Sequence, residues 1–144
     1  MPDTYLTVIA AAAAVAFVAT GVLVAQRRTL DPRGWVAPAA LCASFTAWSV
    51  YAVVDGGPLG FWPEHTGNAW EAQIWFDLLL ALGVAWYLLQ PRLRHHGIAP
   101  LPWFALVVAT GSIGLLALLA RLLYAERSAA RTAARAGRRL SATA

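Results

Sequence analysis

Long apolar runs interrupted by short polar breaks set the pattern of this chain. Residues 5–25, 35–54, 72–89 and 101–120 are built mainly from alanine, valine, leucine, isoleucine and aromatics. At about 1.5 Å of rise per residue, each run makes a helix of roughly 27 to 32 Å, close to the hydrocarbon thickness of a bilayer. The first break, over residues 26–34, is a short basic connector with Pro32 and Gly34 as helix breakers. The pattern predicts an all-α fold, a four-helix transmembrane bundle with short connectors. Beyond residue 125 the pattern changes, with Arg127, Arg131, Arg135 and Arg139 at four-residue intervals among alanines. This is a basic C-terminal tail, helical or disordered; if helical, its arginines form one stripe. The expected domains are a four-span membrane domain over residues 1–125 and an arginine-rich tail over 126–144.

Composition agrees with burial in lipid. The chain is 60% hydrophobic and only 12% charged, and its mean hydropathy is +0.60, which leaves too little polar surface for an ordinary soluble domain. The first run is longer than the apolar core of a signal peptide, and Met1-Pro2-Asp3-Thr4 supplies no cation ahead of it, so a retained span is expected. Cys42 is the single cysteine, which rules out an internal disulfide, and in an apolar run it serves as a small hydrophobe. All eleven cationic side chains are arginine. Together with the alanine excess, this has the look of a GC-rich bacterial coding bias, and the expected location is the bacterial inner membrane.

Charge then bears on orientation. The connector over residues 26–34 carries Arg27, Arg28 and Arg33, and that over 90–100 carries Arg92, Arg94, His95 and His96. The connector over 55–71 has Glu64 and His65 but no arginine. The positive-inside rule makes the first and third cytoplasmic and leaves both termini outside. Five tail arginines, Arg127, Arg131, Arg135, Arg138 and Arg139, oppose the five in the connectors, so the bias nearly cancels and inverted or dual insertion stays open. Aromatics form two belts on this reading, Tyr5, Tyr51, Trp70 and Tyr124 near one set of ends and Trp35, Trp86, Tyr87 and Trp103 near the other.

Asp77 is the residue that fits the pattern least. A carboxylate at bilayer depth costs a few kcal/mol on insertion scales and generally faces a partner or a proton or ligand path. Antiparallel hairpins bring it level with Trp48 and Gly114, and place Gln73, Ser44, Trp48 and Ser112 within reach as candidate ligand- or proton-binding neighbours. Two readings stand together: a site for a proton, cation or lipid-soluble ligand inside the bundle, and a hydrogen-bonded residue that fixes helix packing. The same alignment sets Arg121 level with Glu71, an expected interfacial ion pair, with snorkelling to the headgroups as the alternative for Arg121. Arg127, Arg131 and Arg135 are candidate lipid-headgroup contacts. Small residues along Ala12, Ala16 and Thr20, and again over Thr110, Gly111, Ser112 and Gly114, suit close helix packing within the chain or in a homodimer.

Enzymatic chemistry finds no complete set. His95 and His96 diverge by about 100° on a helix and lack a nearby ligand, so neither a metal nor a cofactor is expected. No nucleophile has an evident base, and no glycine-rich phosphate loop is present. No aromatic residue interleaves the tail arginines, which argues against nucleic acid as a partner.

From Glu71 onward, Trp75-Phe76-Asp77-Leu78-Leu79, Pro91-Arg92 with His96-Gly97-Ile98, and Gly111-Ser112-Ile113-Gly114-Leu115-Leu116 ending at Arg121 carry a resemblance. This stretch resembles a group of uncharacterised bacterial four-span membrane proteins and, more faintly, the abscisic-acid-deficient membrane family associated with neoxanthin formation. The resemblance covers the last third to half of the chain. It implies a four-helix membrane fold and a membrane-embedded role, with Asp77 and the segment from Gly111 to Gly114 matching the family's pattern, and it transfers no catalytic residue.

The leading expectation is a small integral membrane protein without catalysis, acting as an accessory subunit or as a binder of a hydrophobic ligand. Its partners would be the lipid bilayer and a homodimer or larger membrane complex. One alternative is a proton-coupled small transporter that works as a homodimer through Asp77. Another is an enzyme acting on a lipid-soluble, isoprenoid-like substrate.

Overall fold

The computed structural model describes residues 4–26 and 34–142, and every element in them is helical. The chain divides into two units, Met1–Asp31 and Pro32–Ala144. The first contains α1 (Thr4–Gln26), an uninterrupted helix with an apolar stretch over Leu6–Val22. The connector with Arg27, Arg28 and Arg33, and the belt position expected of Tyr5, lie outside what the structure describes.

The second unit holds α2 (Val36–Gly56), α3 (Phe61–Thr66), α4 (Ala69–His95), α5 (Pro100–Thr110) and α6 (Ser112–Ala142). Local chemistry explains the boundaries. Pro38 sits in the first turn of α2, where its missing N–H would have had no helical partner. Asn68 caps α4 by accepting from the backbone N–H groups of Trp70 and Glu71, at 2.9 and 3.1 Å, and its side-chain amide donates back to the Glu71 carboxylate. At its other end α4 closes in a Schellman turn: Gly97 takes φ +64°, and the N–H of Ile98 donates to Leu93 O at 2.9 Å. Ile98 and Leu93 are then buried together in the core, the apolar contact that accompanies this motif.

The largest difference from the sequence reading lies in the fourth apolar run. It is two helices, broken at Gly111, whose φ of +58° and ψ of −123° fall where side chains clash with the backbone. At 11 residues, about 16 Å, α5 is too short to cross a bilayer. The chain reverses there, and α6 returns so closely along α5 that a Cβ on Gly114 would lie 2.8 Å from backbone atoms of Leu106 and Val107.

The organising element is α6, against which α2, α4 and α5 pack. Its direction is fixed by contacts at both ends. Cys42 of α2 reaches Ile113 O at 3.5 Å and Trp35 meets the Tyr124 ring edge-on at 5.7 Å, so α2 runs antiparallel to α6. Arg92 of α4 bonds Glu126, so α4 runs parallel to it. Between them Leu89, Leu93, Ile98, Leu118 and Leu122 make the core, with Trp86 and Trp103 packed against it. Each such leucine contributes about 1.5–3 kcal/mol through burial.

Two expectations change as a result. Tyr124 belongs to the end of the unit that carries Trp35, not the opposite belt. The arginines of the C-terminal half of α6 stand at the same end as Arg92 and Arg94, so tail and third connector no longer oppose one another. The expected boundary between residues 125 and 126 also falls inside α6, which continues to Ala142 without interruption.

Among the described residues two helices, α2 and α4, are long and apolar enough to cross a membrane, and only 6% of the most apolar window of each is buried. A core helix of a soluble domain would be largely enclosed. These present Val50, Val54, Leu80 and Val84, each more than half exposed, to their surroundings.

Candidate functional site

The rotation of α4 determines where Asp77 points. Leu89 and Leu93 are buried against α6, and Leu78, Leu82, Ala85 and Trp86 on the same side are half-buried. Gln73, Asp77, Leu80, Val84 and Leu88 follow at helical spacing on the far side, and all are exposed. Asp77 therefore faces outward, not into a bundle between α2, α4 and α6. Carrying the Arg92–Glu126 offset of 34 residues back along α4 brings Asp77 level with the Gly111 turn. Along the unit it stands within a turn of the level expected from Gly114, but its facing is reversed.

The four residues expected to gather around Asp77 do not form one pocket with it. Gln73 shares its stripe one turn away, whereas Ser44 and Trp48 are exposed on α2 and Ser112 is half-buried at the start of α6. Trp48 stacks on its own helix neighbour Tyr51, with ring centroids 5.6 Å apart. The helices α2 and α4 are each held by α6 and share at most a marginal contact. Among the described residues, Asp77 has no hydrogen-bonding or ionic partner, and no three His, Cys, Asp or Glu side chains come together as a metal site.

The expected Glu71–Arg121 pair is replaced by other contacts. Glu71 is engaged by Asn68 in the α4 cap. Arg121 lies at the opposite end of α4, beside His96 and Tyr124, because the reversal at Gly111 turns α6 parallel to α4. A small aromatic corner forms where α3 folds onto α4: Phe61 and His65 lie 6.1 and 5.2 Å from Trp75, and His65 Nδ1 is 2.6 Å from Phe61 O. This corner had no sequence signal beyond the clustering of aromatics on either side of Gly67.

The ion pair that does form joins Arg92 and Glu126. The guanidinium donates from Nε and one terminal nitrogen to the two carboxylate oxygens, both at 2.8 Å, and His96 Nε2 lies 3.9 Å away. Those hydrogen bonds hold the Glu126 carboxyl below the ordinary carboxylate range, against partial burial that pushes it up. They also raise the Arg92 guanidinium. Glu126 is the one carboxylate in the arginine-rich segment, and that isolation was the available sequence clue.

A group depressed on folding stabilises above its unfolded pKa, near 4.3 for Glu, and loses that contribution as pH falls through its folded value. With side chains 40% and 30% exposed, the pair is screened; its bidentate geometry supports about 0.5–1 kcal/mol. Glu126→Gln is therefore expected to be less stable than wild type by that amount at pH 7. The difference should shrink and then vanish as the pH is lowered past the unfolded value and through the depressed folded one, followed by thermal unfolding in detergent. A gap unchanged by acid would show that the carboxylate charge is not what matters.

Around this pair the described charges are segregated. Arg92, Arg94, Arg121, Arg127, Arg131, Arg135, Arg138 and Arg139 gather at one end of the unit, whereas Asp55, Glu64 and Glu71 belong to the helix ends at the other. Comparison with protein-family models, with curated proteins and with solved structures finds no match for this chain.

Proposed function

We propose that this chain is an integral membrane protein that acts by helix association and not by catalysis, an accessory subunit whose docking face is the outer stripe of α4. The observation that carries this reading is Asp77, unpartnered among the described residues, on the exposed side of a helix long and apolar enough to span a bilayer. A carboxyl group facing lipid at that depth is unfavourable, and a second helix with a hydrogen-bond donor relieves the cost. The stripe is self-complementary in this sense, since Gln73 supplies an amide one turn from the Asp77 carboxyl, as an isologous pair of copies requires.

The charge segregation supports a topology in which the α5–α6 hairpin enters and leaves the membrane from the basic side, with α1, α2 and α4 as crossings. Irregular backbone at membrane depth is tolerated where protein covers it, and α5 and α6 cover each other at Gly114. On this reading the positive-inside rule puts the C-terminal tail in the cytoplasm with the first and third connectors, and the N-terminus outside. Inner-membrane residence remains part of the same proposal.

Disulfide crosslinking in membranes tests the docking face. In a Cys42→Ser background, Val84→Cys is expected to form a covalent dimer and Leu82→Cys, on the inner face, is not. Adding Asp77→Ala should lower the dimer yield about three- to thirtyfold, given roughly 0.6–2 kcal/mol for an interhelical polar contact. Equal yields from Val84→Cys and Leu82→Cys would remove the α4 interface. Proton-coupled transport would use the same dimeric Asp77, and it additionally requires proton uptake by reconstituted vesicles that Asp77→Asn abolishes.

A further inference from the structure

At the basic end, one face of α6, with His96 at the end of α4, borders a wide, shallow groove of about 710 Å³. His96, Arg121, Tyr124 and Ser128 bring a guanidinium, an imidazole, a phenol and a hydroxyl to its edges, and alanines including Ala129 form its floor. Thr132 also lines it, but its hydroxyl already donates to Ser128 O at 3.1 Å. No carboxylate borders the groove. Glu126, the one acid of α6, pairs with Arg92 and lies 3.9 Å from the Nε2 of His96, so Arg121, Tyr124 and Ser128 are the groups left to a ligand.

We propose that this groove binds the phosphate of an anionic phospholipid in the leaflet at the basic end. The inference rests on the membrane reading given above. Height favours a lipid over a free anion: the groove lies level with the Trp35–Tyr124 ring pair, and aromatic pairs of this kind sit at headgroup depth. Charge is complementary, since Arg121 lines the groove and no acid follows Glu126 before the end of the described helix.

None of the three tail arginines expected to hold headgroups lines the groove, and the Nε of Arg127 is buried. A straight α6 running parallel to α4 carries Arg135 about 20 Å beyond Arg121, well past the roughly 8 Å over which an exposed charge acts at physiological salt. The headgroup contact therefore centres on Arg121, Tyr124 and Ser128, earlier in α6 than the stripe suggests.

Native mass spectrometry of the full chain, released from micelles with equal phosphatidylglycerol and phosphatidylcholine, tests this. Wild type should retain phosphatidylglycerol over phosphatidylcholine by about fivefold or more. Arg121→Gln/Ser128→Ala should lose that preference, whereas Arg138→Gln, which removes the same charge outside the groove, should keep it. Ala129→Trp, which fills the floor without changing charge, should also lose it. The proposal is overturned if wild type shows no preference, if Arg138→Gln weakens binding as much as the groove variant, or if Ala129→Trp binds like wild type. Displacement of the lipid by inorganic phosphate would assign the groove to a free anion and overturn the lipid. Recovery of the chain in the soluble fraction of lysed cells would remove the membrane reading itself, whereas a detergent-extracted chain without lipid preference removes only the groove.

Discussion

Gly114→Val is expected to destabilise the second unit by about 3 kcal/mol or more, and Gly114→Ala by about 1–3 kcal/mol. The Cβ that either substitution adds would lie 2.8 Å from the Leu106 carbonyl and from Val107 N. Those are backbone atoms inside α5, so no side chain can rotate away and the two helices must separate. Separation also pulls Leu115 and Leu118 from Trp103 and the rest of the core. Gly83 is the internal comparison, because a Cβ there meets nothing within 4 Å. Gly83→Ala should be neutral or should gain up to about 1 kcal/mol from helix propensity. Thermal unfolding of the three variants in one detergent gives the ordering; a Gly114→Ala protein as stable as Gly83→Ala would mean that α5 and α6 do not lie against each other.

The second large effect is expected at Leu118. Its side chain is fully buried, 0% exposed, and it packs with Leu89, Leu93 and Leu122 where α4 and α6 meet. Leu118→Ala removes that burial and leaves a cavity, a loss of about 2–5 kcal/mol. Leu80→Ala makes the same chemical change on the outer stripe of α4, where the side chain is 69% exposed. In a monomeric micelle it should change stability by less than about 0.5 kcal/mol. A Leu118→Ala loss below about 1 kcal/mol would place the core elsewhere.

Hydropathy alone located α1, α2 and the start of α4 within a few residues, because a run of about twenty apolar residues has few alternatives to a helix, but α4 runs on past Leu89 and through Pro91 to His95, into what reads as a connector. Hydropathy is nearly blind to direction, however. The run over residues 101–120 reads as one span, yet its middle triplet Thr110-Gly111-Ser112 is a break, since Gly111 adopts a conformation closed to side chains. From that one residue follow the misassigned belt position of Tyr124, the unformed Glu71–Arg121 pair and the apparent conflict among the arginines.

The candidate site was legible in part for a related reason. Depth along a helix can be counted from connectors, and Asp77 stands near its expected level. Facing depends on which side the core claims, and for α4 that was decided by Leu89 and Leu93, more than ten residues further along. The Arg92–Glu126 pair was equally hidden, because it joins residues 34 apart that become neighbours only after the chain reverses.

The measurement that bears most directly on that reversal is the sidedness of single cysteines towards a membrane-impermeant maleimide, in a Cys42→Ser background. His95→Cys reports the third connector, Ala134→Cys the C-terminal part of α6, and Leu59→Cys the segment between α2 and α3. With α5 and α6 forming a hairpin from the basic side, positions 95 and 134 label together in inverted vesicles and position 59 labels in intact cells. Labelling of positions 134 and 59 from one side, opposite to 95, would mean that residues 101–120 cross the membrane, and would contradict the gathering of arginines at one end.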